Sequence, residues 1–222
     1  MKIIFENEQD TTKYKLLKKL ISSVMVEGFQ HLRMDDIAKY MAVSRATMYK
    51  HFSSKEEVIE GVVQIFIDYL EKLEDRTKED DEKWFGLWFQ KLFEQSVTLV
   101  GKISDVFLKD LQAMYPDLYD ILKGALNKRE KMTSEFYQEG KNKGIFNPIN
   151  EKFILLQDDI LLREIIDVKY LLYNQMSIQQ VLNDYYQFKK IQLFKAEKLS
   201  IVDDSNIEPI IDHLVEKFNR TL

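Results

Sequence analysis

The stretch VSRATMYKHF, residues 43–52, decides how this chain is read. It sets Arg45, Lys50 and His51 within ten residues of a 222-residue chain whose formal net charge is −5. Ser44 is a good helix N-cap, so residues 45–51 read as a helix of two turns. Just upstream, Met34 to Met41 reads as a second short helix. Asp35 and Asp36 fall in its first turn, where the macrodipole favours negative charge, and Ile37, Ala38 and Met41 share an inward face. Ala42 and Val43 form the tight link between the two. If residue 42 takes a left-handed conformation, alanine there costs roughly 1 kcal/mol relative to glycine.

Longer helices flank this pair. From Thr12 to Glu27, Leu16, Leu17, Leu20, Ile21, Val24 and Met25 make one helical stripe, and Gly28 is placed to end it. On the other side Ser54 and Glu57 have capping-box spacing: the serine is expected to bond the amide three residues on, and Glu57 to reach back to the cap amide. Two short helices joined by a tight turn and braced by longer ones make a helix-turn-helix, whose second helix is the one offered to a DNA major groove. Val43, Met48 and Phe52 are expected to point inward, leaving Arg45, Ala46, Thr47 and Lys50 facing out.

The charge distribution agrees. Residues 12–61 carry nine Lys or Arg against six Asp or Glu, whereas residues 62–222 carry 22 against 28. A small basic unit on an acidic body meets a polyanion locally, because phosphates are neutralised by nearby cations and not by the net charge of the molecule. With 45% hydrophobic and 31% charged residues and three prolines, the composition is that of a well-packed helical protein. No apolar run approaches the roughly 18 residues of a membrane span, and MKIIFENEQD lacks the apolar core of a signal peptide, so a cytoplasmic location is expected. There are no cysteines, and His31, His51 and His213 are too scattered to suggest a metal site. A ferritin-like metal protein requires Glu-x-x-His pairs, which neither His51 nor His213 completes. A hydrolase or nucleotide-binding enzyme requires a glycine-rich elbow or phosphate loop, and none occurs. No cofactor is implied.

The run RMDDIAKYMAVSRATMYKHFSSKEEV, residues 33–58, resembles the DNA-binding domain of the TetR family of bacterial transcriptional regulators. The resemblance covers about 50 N-terminal residues and rests on Asp36-Ile37-Ala38, Val43-Ser44, Thr47, Tyr49, His51-Phe52 and Ser54-Lys55-Glu56. Ala42 and Ala46 replace glycines of the family pattern. Arg33 replaces a threonine, so side-chain capping is lost there while a phosphate comes within reach. The resemblance implies an all-α chain, with an N-terminal three-helix helix-turn-helix DNA-binding domain over 1–61 and a helical effector and dimerisation domain over 62–222. It places Arg33, Ser44, Arg45, Ala46, Thr47, Tyr49, Lys50, His51 and Lys55 at the DNA. Lys55 has a further argument. A cation in the first turn of a helix opposes the dipole unless an external anion sits there. Asp35 occupies a position where some relatives carry a base-contacting cation, and it reads as helix-capping charge.

Beyond Val62 the chain is a series of amphipathic helices. The charged run at 74–83 reads as a solvated connection. After it, Trp84, Phe85, Trp88, Phe89, Leu92 and Phe93 form one stripe, Pro116 opens a long helix, and helices are expected over about 151–175, 178–199 and 206–220. The resemblance implies a homodimer through the helices at 151–175 and 178–199, a palindromic operator, and an unknown small-molecule effector. It also implies an effector pocket, for which Trp88, Phe107, Leu111, Phe136 and Tyr137 are the lining candidates, with Met114 and Tyr115 at its gate. The connecting helix four, from Lys55, is expected to be shared by both domains and to carry the effector's signal to the reading heads. The competing class is a helical adaptor that binds protein and not DNA.

Overall fold

The structure, a computed structural model, describes residues 8–72, 81–100 and 103–219. Among the described residues the chain forms eleven α-helices and no named strand. They are α1 (Glu8–Glu27), α2 (Met34–Tyr40), α3 (Arg45–His51), α4 (Lys55–Glu71), α5 (Lys83–Val100), α6 (Asp105–Met114), α7 (Pro116–Asn142), α8 (Glu151–Ile165), α9 (Val168–Asn174), α10 (Ile178–Leu193) and α11 (Ile207–Asn219). No helix is long and apolar enough to cross a membrane among the described residues. Most of the expected 74–83 connection, Leu73, the Met25 side chain and Arg220 lie outside the described residues.

Two compact units result: Met1–Glu74 with Lys102–Asn127, and Asp75–Gly101 with Lys128–Leu222. The first contains α1 to α4, α6 and the opening of α7. All of α4 therefore lies in the first unit, where the sequence reading has this helix shared between domains.

The first unit is built on α1. Leu16, Leu17, Leu20, Ile21 and Val24 are buried, as are Ile37, Ala38, Met41, Met48 and Phe52 from the two short helices. Val43 is only half-buried, so the inward set at the turn is narrower than its apolar character suggests. Gly61 of α4 lies against Leu17, and a Cβ there would come within 2.7 Å of the leucine side chain, so the missing side chain sets how closely α1 and α4 approach. Gly28 ends α1 with φ +75 and an amide bond back to the Val24 carbonyl at 3.1 Å, the single-bond left-handed cap.

The second unit is organised around α5. Phe85, Phe89 and Phe93 are buried and meet Phe136, Tyr186 and Phe194. Phe146 and Phe194 meet edge to face at 4.8 Å where the chain makes an isolated antiparallel bridge. That bridge explains why the expected helix over 178–199 ends at Leu193: Phe194 is extended and followed by a 3-10 turn over Ala196–Ile201. The expected 151–175 helix is likewise two helices. Asp167 takes an extended conformation and its carboxylate accepts from the Lys169 and Tyr170 amides, starting α9.

Buried charge ties this unit together. Asp158 Oδ1 of α8 accepts from Lys189 Nζ at 2.5 Å and from the Tyr185 hydroxyl at 2.6 Å, both on α10. Burial pulls the Lys189 ammonium below the ordinary lysine value, against the pull of Asp158. Burial, then the Asp158 charge, pushes the Tyr185 and Tyr137 hydroxyls well above theirs.

Candidate nucleic-acid interface

The turn between α2 and α3 is a complete Schellman motif. The Val43 amide bonds the Ala38 carbonyl at 3.0 Å, the Ala42 amide bonds that of Lys39 at 2.9 Å, and Ala42 sits left-handed at φ 56. An alanine in that conformation is strained, so Ala42→Gly is expected to raise stability by about 1 kcal/mol. Urea unfolding would show this as a higher midpoint with unchanged slope, and no gain would place the strain elsewhere.

Each helix end here is closed by a particular side chain. Ser44 Oγ accepts from the Thr47 amide at 3.1 Å and lies 2.8 Å from Thr47 Oγ1, fixing the start of α3. At α2, Asp36 Oδ2 accepts from the Arg33 amide at 3.2 Å, the return bond of a capping box. That bond, then Lys39, holds the Asp36 carboxyl below the usual range. At α4, Ser54 Oγ accepts from the Glu57 amide at 3.1 Å as its spacing predicts. Glu57 does not return to the Ser54 amide. It accepts from the Ser53 amide at 2.6 Å and the Ser53 hydroxyl at 2.8 Å, and pairs with Lys13 of α1 at 3.0 Å. Burial works to raise the Glu57 carboxyl, but these partners together hold it below the usual range.

The outward face of α3 is polar. Arg45, Ala46, Tyr49 and Lys50 are exposed, as are Ser44 before it and Arg33 at the head of α2, whereas Thr47 and His51 are half-buried. Arg45 is held on two sides. Its Nε lies 3.1 Å from Asp35 Oδ1, its Nη1 donates to Asp35 Oδ2 at 3.3 Å, and its Cζ lies 5.6 Å from the Tyr49 ring centre. Asp35 is thus an ion-pair partner of α3 as well as a first-turn charge of α2.

Lys55 has protein partners that its position in the sequence did not reveal. Its Nζ donates to the Gln30 carbonyl at 3.0 Å and lies 5.7 Å from the Phe29 ring centre. Burial lowers its pKa, with the charge of Asp110 opposing. A carbonyl and a nearby carboxylate thus offset the cation at the start of α4, and an external anion is not required to account for it. Asp110, from α6, also binds the α1–α2 turn: its Oδ2 accepts from the Phe29 amide at 2.7 Å and the Gln30 amide at 2.9 Å.

The effector-pocket candidates divide between the two units. Phe107, Leu111, Met114 and Tyr115 belong to the first, where Phe107 meets Phe29 edge-on at 5.5 Å and Tyr115 stacks on Phe29 at 6.1 Å. Trp88, Phe136 and Tyr137 belong to the second, where Trp88 stacks on Trp84 at 5.4 Å and Phe136 on Phe85 at 5.6 Å. Sequence reasoning missed Asp110 and the Asp35 to Arg45 pairing. Neither partner is at helical spacing, so no periodic signal could have found them.

A helix-turn-helix with a capped second helix and an outward row of Arg45, Tyr49 and Lys50 is the arrangement by which DNA-binding proteins offer a helix to the major groove. Residues 23–62 match the model of "Bacterial regulatory proteins, tetR family". The chain is 23% identical over 134 residues to the biofilm operon icaADBC HTH-type negative transcriptional regulator IcaR of Staphylococcus aureus (strain Newman), covering 59% of this chain and 72% of the relative. It is 27% identical over 140 residues to the HTH-type transcriptional repressor KstR2 of Mycolicibacterium smegmatis, covering 60% and 67%. In fold it resembles the ketosteroid transcriptional regulator KstR2 of Mycobacterium tuberculosis, with a TM-score of 0.54 at 20% identity over 82% of this chain and 95% of that one. Residues 23–62 thus carry the tetR-family region, and the relatives the chain resembles are transcriptional regulators.

Proposed function

We propose that the chain is a ligand-responsive repressor that binds a palindromic operator as a homodimer. The observation that carries the DNA face is the exposed row on α3, where Arg45 and Lys50 stand clear of the core that Met48 and Phe52 enter. Arg45 reads a base edge, and Arg33, Lys50 and His51 neutralise or bond phosphates together with the Tyr49 hydroxyl. Ser44, Ala46 and Thr47 lie along the groove wall. An ammonium has three donors, so Lys55 reaches a phosphate with those not given to Gln30.

Assembly is supported by apolar side chains left uncovered on the second unit. Phe153, Leu156 and Ile160 follow one another along α8 at exposures of 60%, 57% and 60%, and Phe188 and Ile191 of α10 at 48% and 64%. Leu162, Val181, Leu182, Tyr185 and Leu193, by contrast, fill the unit's own core. A large uncovered apolar face marks a protein contact, and a two-fold pair sets two α3 helices against successive turns of DNA.

The test uses the full chain and the DNA upstream of its own gene. Lys50→Ala is expected to weaken binding to every sequence and to lower the salt slope by about one. Arg45→Ala is expected to cost about 1–3 kcal/mol on the cognate site alone. Fluorescence anisotropy across a salt series separates the two, and equal affinity of both variants with the wild type would discard this face. A chain that retains no duplex at all would instead favour the adaptor reading.

Control by an effector follows from family likeness and from the aromatic core of the second unit. A ligand that prefers one separation of the two reading helices by about 3 kcal/mol weakens operator binding over about 100-fold. By reciprocity, operator weakens ligand binding by the same factor.

A further inference from the structure

We propose that Asp35 is a specificity-determining residue of the DNA face: it positions the Arg45 guanidinium to read a guanine, and its own charge holds off non-cognate duplex. The assignment rests on the reading of α3 as the recognition helix. Three observations carry it. Asp35 and Arg45 lie ten residues apart on different helices, yet their side chains meet at 3.1 and 3.3 Å. The Arg45 guanidinium also lies over the Tyr49 ring, so the long side chain is held from two directions before DNA arrives. Both partners stay solvent-facing, with side-chain exposures of 53% for Asp35 and 67% for Arg45, on the surface that presents Lys50.

The physical consequence follows from donor arithmetic. A guanidinium has five N–H donors in a rigid plane, and Asp35 occupies part of one edge. The remaining edge still offers two parallel donors, matched to guanine O6 and N7 in the major groove. Holding the plane in place removes rotamer freedom that a free arginine would lose on binding. The same carboxylate is repelled by every phosphate it approaches, on cognate and random DNA alike. Only the guanine contact compensates for that repulsion, so discrimination rises while general affinity falls.

The experiment begins by enriching a site from a random duplex pool with the full-length wild-type protein. Asp35→Ala, Asp35→Asn, Arg45→Ala and the Asp35→Ala/Arg45→Ala double variant are then measured at fixed salt. The probes are random duplex, the enriched site, and that site with each base pair changed in turn. Asp35→Ala is expected to bind random duplex about 2- to 5-fold more tightly, by loss of one negative charge. It is also expected to lose about 10-fold in preference for one guanine per half-site. Arg45→Ala should lose preference at the same base pair, and adding Asp35→Ala to it should change no base preference. Asp35→Asn, which keeps the shape and one acceptor oxygen, should fall between. Full wild-type preference in both Asp35 variants overturns the proposal, and so does a lost preference at a different base pair, which would make Asp35 a base reader itself. A wild type that enriches nothing overturns the DNA reading as a whole, a result that no Asp35 variant is needed to see. Circular dichroism of each variant separates loss of preference from loss of fold.

Discussion

Replacing Asp158 by alanine is expected to destabilise the second unit by about 3–5 kcal/mol, because it leaves the Lys189 ammonium buried without its counter-charge. The pair joins α8 to α10 at 2.5 Å, with Tyr185 as a second donor to the same oxygen. Lys189→Met is expected to cost less, since the remaining carboxylate keeps the tyrosine. The double replacement Asp158→Leu/Lys189→Met should recover much of the loss, because apolar groups of similar volume often match a buried ion pair in stability. The pH dependence has a definite sign. Lys189 is depressed in the folded state, so the unfolded chain binds the proton more tightly and stability rises as pH approaches the ordinary lysine value. Without Asp158 that depression deepens, so the penalty of Asp158→Ala should shrink between pH 7 and 10. Urea unfolding at a series of pH values tests this. A loss under about 1 kcal/mol, or one independent of pH, would show that water reaches the pair.

The second large effect concerns Asp110. Asp110→Ala removes the carboxylate that receives the Phe29 and Gln30 amides, and is expected to cost about 2–3 kcal/mol, a range set by two charge-assisted bonds of which one faces solvent. Gly28→Ala should approach the same cost from the other side. A Cβ there would lie 2.5 Å from Asp110 Oδ2, and φ +75 disfavours alanine independently. Asp110→Asn, with one acceptor oxygen retained, should lose about half as much. Amide exchange at Phe29 and Gln30 gives the local readout. Protection that persists in Asp110→Ala would mean the turn is held by its own backbone and by the Phe29, Phe107 and Tyr115 rings. The bond makes α6 part of the same unit as the helix-turn-helix and ties it to the turn that leads into α2.

Local signals in the sequence were enough to determine the reading head. Hydrophobic spacing, the Ser44 and Ser54 caps and Gly28 place the end of α1 and both ends of α2 to α4 within a residue or two of those observed, because each signal acts within one helical turn of the residues it controls, whereas α1 begins at Glu8, four residues before the expected Thr12. The left-handed state of Ala42, only a condition in the sequence, is decided by the turn that joins α2 to α3. The helix breaks after Ile165 and Leu193 were not. The first depends on Asp167 capping a new helix inside an apolar run, and the second on Phe194 leaving the helical path to pair with Phe146, far away in sequence. Candidate DNA-facing residues were nameable from one short motif, but the partners of their side chains were not. Asp35 holds Arg45 and Gln30 engages Lys55 across turns whose geometry no periodicity encodes. The grouping of α6 with the reading head, the Asp110 clamp and the Asp158 to Lys189 pair were also decided by tertiary structure alone. A hydrogen bond or ion pair between distant segments leaves no spacing in the chain; it exists only once packing has brought the partners within about 3 Å.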